Sequence, residues 1–271
     1  RALGSRNVII RSVPPPKGQN TAATLQTYTA NYGLKLSDIK LLEETLHPRI
    51  TDTLAKRRYR MSVRAGRKEV SGTVWGTQPN HLRMSQMEMI AGRFLLDTDS
   101  HANVCVITDS MAAKLFPISD PLRGEVKLNN RQIFRVVGVV RETAAASARA
   151  PGQDNAGRAL DANVYVPLAA AHARLGVLFT EQSAGSRIRE RVELHELVVE
   201  LADVDQVEAT VPAIRAALKT SHRKMDYEII VPLELLRQAE ETKRIFNIVL
   251  GSIAGISLIV GGIGIMNIML A

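Results

Sequence analysis

The chain has 271 residues, of which 45% are hydrophobic and 4% aromatic, and a formal charge of +8. That length holds one large domain or two small ones, and the single cysteine, Cys105, excludes an internal disulfide. Basic residues mostly alternate with acids and aromatic rings are scarce, so the concentrated basic face or stacking platform of a nucleic-acid binder is missing from the sequence.

Residues 6–12, RNVIIRS, read as a strand, which VPPPKGQN breaks into an extended loop. Residues 37–47 predict a helix. Ser37 or Asp38 caps it, Ile39, Leu42 and Leu46 recur at helical spacing, and Pro48 ends it. Tyr59, Met61 and Val63 then alternate with Arg58, Arg60, Ser62 and Arg64, the period of a half-buried strand. Ala65-Gly66-Arg67 turns that strand into a second one over 69–76.

The middle differs. The Met-rich residues 85–92 predict a short helix, VCVIT a strand with Cys105 as a small core residue, and DSMAAKLF a short capped helix. GEVKLNNRQIFRVVGVV predicts a hairpin turning at Asn129-Asn130, residues that tolerate left-handed backbone. Residues 141–162 are small or polar without periodicity and predict a mobile loop. ANVYVPLAAAHARL returns to strand and helix. ELHELVVEL, the helix pattern DVDQVEATVPAIRAALKT with Val207, Val211, Ile214 and Leu218 on one face, and DYEIIVP then repeat the strand-helix-strand order of the first quarter.

The expected fold class is therefore α+β. One strand-helix-strand subdomain is split between 1–80 and 181–232, a smaller α/β subdomain over 81–180 is inserted in it, and a stalk helix over 233–271 follows. Leu233, Leu236, Ala239 and Phe246 keep helical spacing into residues 245–271, which carry no charged side chain. At about 1.5 Å per residue that run reaches roughly 40 Å, more than a bilayer core requires, and it predicts a transmembrane helix. Gly251, Gly255, Gly261, Gly262 and Gly264 are the candidates for helix packing in the membrane, with Gly251 and Gly255 spaced as GxxxG. A kink near Gly261-Gly262 is the plainer alternative.

A search for reactive chemistry returns little. None of the six histidines lies at a metal-ligand spacing, and the sequence holds neither a GxxxxGK[ST] phosphate loop nor a GxSxG elbow. The sequence thus offers no catalytic, cofactor-binding or metal residue. Residues 56–68 carry seven Lys or Arg and no acid. Arg58, Arg60 and Arg64 are the candidates for contact with an anionic ligand or lipid headgroup, and a solvated strand face is the simpler account.

The ending SIAGISLIVGGIGIMNIMLA resembles the second transmembrane helix of MacB/FtsX-type ABC-transporter permeases. LGSRNVIIRS, VWGTQPN, AGRFL, AKLFP, FRVVGVV, NVYVPL and DYEIIVPLELL match that family in the same order. The resemblance implies a bacterial inner-membrane permease of four spans, with residues 1–244 outside the cytoplasm. It also implies a porter-like subdomain split around a smaller one. The implied partners are a cytoplasmic ABC ATPase that binds ATP and magnesium, a second permease copy in a homodimer, membrane lipids, and in efflux members a periplasmic adaptor and an outer-membrane channel. The implied function is mechanotransmission for efflux or export. The alternatives are an FtsX-like signalling permease that activates an envelope hydrolase, and a module that binds a lipid or lipoprotein for release. Lys243 and Arg244 flank the span on the side the resemblance places outside, against the usual charge bias, which large translocated domains override.

Overall fold

The computed structural model describes residues 6–14, 29–142, 162–183, 186–203, 206–222, 226–232, 242 and 245–257. In chain order these form β1 (Asn7–Ser12), β2 (Thr29–Asn31), α1 (Leu36–Leu46), β3 (Ile50–Ala65), β4 (Lys68–Thr77), α2 (His81–Met84) and β5 (Glu88–Gly92). There follow β6 (Val104–Thr108), α3 (Asp109–Leu115), β7 (Glu125–Leu128), β8 (Gln132–Arg141), β9 (Asn163–Pro167) and α4 (Leu168–Leu175). The last are β10 (Leu178–Ser183), β11 (Ser186–Arg191), β12 (Glu196–Leu201), α5 (Gln206–Ser221) and β13 (Tyr227–Ile230).

The two strand-helix-strand units come together in space. Their strands lie in the order β13-β1-β12-β3, all neighbours antiparallel. This is the four-stranded arrangement of a split βαβ fold, in which α1 and α5 pack on each other and on β3 and β1. Val8 and Ile10 of β1 alternate inward, Leu42 and Leu46 line the buried face of α1, and Val207, Ile214 and Leu218 line that of α5.

The middle is built on the far end of the same long strand. Over residues 50–56 β3 pairs with β12, and over 57–65 it pairs with β4. β4 pairs with β9, β9 with β6, β6 with β8, β8 with β7, and β7 returns to β3 at Val63↔Leu128 and Arg64↔Lys127. Six strands thus close into a small barrel, which leaves few free edges. Tyr59, Val74, Cys105, Ile107, Phe134 and Val164 fill its interior beside Met111 of α3 and Ala171 of α4. The opposite face of β6, β9 and β4 presents Val104, Val106, Tyr165 and Trp75 to a second cluster that the segment 82–95 covers.

The partner of β3 changes at Arg57, and β3 and β4 serve the barrel because closure needs both of them. Residues 1–230 form one compact unit and residues 231–271 a second. The Met-rich stretch expected as a helix over 85–92 is strand β5 from Glu88. Its pairing with β8 overrides local propensity, and Gly92, at φ +75 with a would-be Cβ 2.3 Å from the Val137 carbonyl oxygen, ends it. The hairpin β10–β11, which pairs with β2, is an element the sequence pattern does not predict.

In the second unit residues 245–257 are helical. Among the described residues no helix is long and apolar enough to cross a membrane. The continuous helix expected over 233–271 is therefore seen only in part, and residues 233–241 and 258–271 lie outside the described residues. The predicted mobile loop lies outside them too, apart from its ends at 141–142 and 162.

Candidate functional site

The basic face of β3 follows from strand alternation. Tyr59 and Val63 point into the barrel, so Arg58, Arg60 and Arg64 share the opposite face, spaced about 7 Å per two residues. Arg60 is exposed opposite Thr73, while the Arg64 Nε donates to the Gly66 carbonyl at 3.0 Å inside the hairpin turn. The Arg58 backbone amide donates to His195 Nδ1 at 3.4 Å. Burial, together with Arg57, Arg58 and Arg60, pushes His195 down to about 3, so its ring is neutral and accepts that bond. The three arginines form a stripe along one strand and do not converge on a pocket. Lys56 at the head of the stripe is taken up by Glu196 at 2.6 Å across the β3–β12 seam.

Arg57 belongs to the other face. It is 1% exposed, its Nη2 donates to the Val177 carbonyl at 2.9 Å, and its guanidinium lies 4.9 Å from the centre of the Tyr59 ring. Tyr59 in turn donates to the Gly176 carbonyl at 3.1 Å, and burial raises its hydroxyl to about 12. Among the described residues Nε and Nη1 of Arg57 have no hydrogen-bond partner, and burial lowers the guanidinium's proton affinity. The parity of the strand carried this signal, since Arg57 is in step with Tyr59 and Val63.

A second buried group ties three elements. His222, just past α5, lies with Nε2 2.9 Å from Asp38 Oδ2 in α1 and Nδ1 2.9 Å from Asp226 Oδ1 ahead of β13. Asp38 also accepts from the Lys35 amide at 2.7 Å and from Ser221 Oγ at 3.3 Å, and Asp226 accepts from the Gly33 amide at 2.8 Å. The carboxylates sit on opposite ring nitrogens, so the trio is an ion cluster and does not chelate. Only its long-range topology makes it a group, because 184 residues separate Asp38 from His222.

In the helix 245–257, Ile245, Phe246, Ile248, Leu250, Ile253 and Ile256 are each at least half exposed. Nothing lies within 4 Å of where a Cβ would stand on Gly251 or Gly255. Gly261, Gly262 and Gly264 lie outside the described residues. Among the described residues no group of three or more His, Cys, Asp or Glu is placed to hold a metal ion. Burial pushes the Cys105 thiol up, away from reactivity.

The family of MacB-like periplasmic core domains matches residues 3–217. The macrolide export ATP-binding/permease protein MacB of Nitrobacter winogradskyi is 31% identical over 212 residues, 77% of this chain and 30% of that protein. The pyoverdine export ATP-binding/permease protein PvdT of Pseudomonas putida is 30% identical over 273 residues, 99% of this chain and 36% of that protein. The chain thus spans about a third of the length of these curated relatives. The crystal structure of the periplasmic region of MacB from Actinobacillus actinomycetemcomitans superposes with a TM-score of 0.62 at 18% identity, over 88% of this chain and 94% of that one, a likeness of fold.

Proposed function

We propose that this chain, which belongs to the MacB-like periplasmic core domain family, is the extracytoplasmic domain and second membrane span of an export-type ABC-transporter permease that passes ATP-driven motion outward. The observation that carries this reading is the helix 245–257, apolar and exposed on every side. Such a surface is costly in water and is covered by lipid or by other spans. A domain braced by a closed barrel and a shared long strand moves as a body when a span shifts, which is what transmission of a displacement requires.

ATP and its magnesium belong, in this reading, to a cytoplasmic ATPase domain or subunit, since the sequence has no phosphate loop. A second permease copy completes the pair. A periplasmic adaptor and an outer-membrane channel receive the motion, and the inner membrane of a bacterium is the setting, with residues 1–244 outside the cytoplasm. Arg58, Arg60 and Arg64 are proposed to meet anionic groups there.

The test uses full-length permease carrying Cys105→Ala and a spin label at Ile118, which is 99% exposed. The distance between labels on two copies should shift between the nucleotide-free and ATP-plus-vanadate states. Identical distance distributions in both states would remove the transmission reading.

A further inference from the structure

The state of charge of His222 follows from its neighbours. A neutral imidazole has one N–H and one lone pair, so one of its two carboxylate contacts would set a lone pair against an anion. Only the imidazolium donates to both Asp38 and Asp226. Both carboxylates are held as acceptors by groups other than the histidine: the Lys35 amide and Ser221 hydroxyl on Asp38, the Gly33 amide on Asp226. Among the described residues the further titratable neighbour is Tyr227, whose ring meets that of His222 edge-on at 5.5 Å and whose hydroxyl donates to the Arg215 carbonyl at 3.5 Å.

The strand beyond this cluster is weakly held. Among the described residues β13 is an end strand, paired only with β1 through four residue pairs, and its last residue precedes Val231, where the second unit begins. We propose that His222 is a proton-operated clip: its imidazolium fastens the start of β13 to α1 and to the end of α5, and its deprotonation frees that strand, so that pH outside the cytoplasm sets how firmly β13 is held in the sheet. The regulatory consequence rests on the extracytoplasmic placement proposed above, whereas the clip stands on the geometry alone.

The sign is determined. The hydrogen bond to Asp38 leads in raising His222 above 6.5, so its contribution is complete below 6.5 and is lost as pH rises through the folded value. Burial raises Asp38, but the bonds from His222 and Lys35 outweigh it and hold the carboxyl below 3.8, so its contribution is lost only as pH falls through its own folded value.

Hydrogen exchange of the full-length permease in lipid nanodiscs tests the clip, after correction for the intrinsic pH dependence of exchange. Protection of amides 227–230 should fall about tenfold per pH unit above about 6.5 and level off beyond the folded value of His222, while amides 104–108 in β6 do not follow. His222→Gln should abolish the slope, and His222→Lys, which keeps a charge at one carboxylate, should move it to higher pH. Flat protection in the wild type, or the same slope in His222→Gln, overturns the proposal. A correct slope without nucleotide-dependent movement at Ile118 keeps the clip and removes the transmission reading.

Discussion

At position 57 a guanidinium sits in the interior with two of its nitrogens unbonded and a tyrosine ring as its main companion. A buried charge without an ion pair costs several kcal/mol, yet the long side chain also fills space. Arg57→Met should keep the volume and shed the charge, leaving stability within about 1 kcal/mol of the parent or above it. Arg57→Ala should lose about 2–4 kcal/mol through the cavity. Urea unfolding of the two variants side by side checks this, and equal losses would mean that the charge itself is needed. The basic residue type at 57 suggests a surface position, so only the strand's parity marked it as buried.

The β3–β12 seam and the turns show which elements were legible. Asn129 and Asn130, predicted to turn the hairpin, have φ of +49 and +57 and connect β7 to β8. β5 was not legible, because Met89 and the Met87 ahead of it suit a helix and its pairing with β8 is non-local. Gly92→Ala should cost at least about 2 kcal/mol, since it adds left-handed strain to a clash with backbone. Gly66→Asn, at φ +57 in open space, should stay within about 1 kcal/mol. Thermal melts separate the two. Across the seam, Lys56 and Glu196 are mostly buried and in direct register. Glu196→Gln should cost about 3 kcal/mol by stranding the lysine charge, and Lys56→Met with Glu196→Leu should recover most of it. A double variant as unstable as the single would show that the seam needs the ions.

For the whole molecule the proposed span has to find cover for the exposed apolar side chains of the helix 245–257. Single cysteines along 247–257 of the full-length permease, in a Cys105→Ala background, should crosslink between helices at helical spacing on the Gly251/Gly255 face. Gly255→Leu should abolish those crosslinks while leaving the extracytoplasmic domain folded. Free labelling of that face by a lipid-phase probe, without crosslinks, would leave a span that packs on nothing. The sequence by itself determined most strands and helices of the two strand-helix-strand halves and the charge-free end, because hydrophobic period, caps and turn residues act over a few neighbouring positions, but neither β5 nor the hairpin β10–β11. Tertiary structure alone decided that β3 and β4 close a barrel, that the Arg57 guanidinium meets the Val177 carbonyl, and that Asp38, His222 and Asp226 meet. Those outcomes depend on contacts between residues from about 65 to 184 positions apart, which no local pattern encodes.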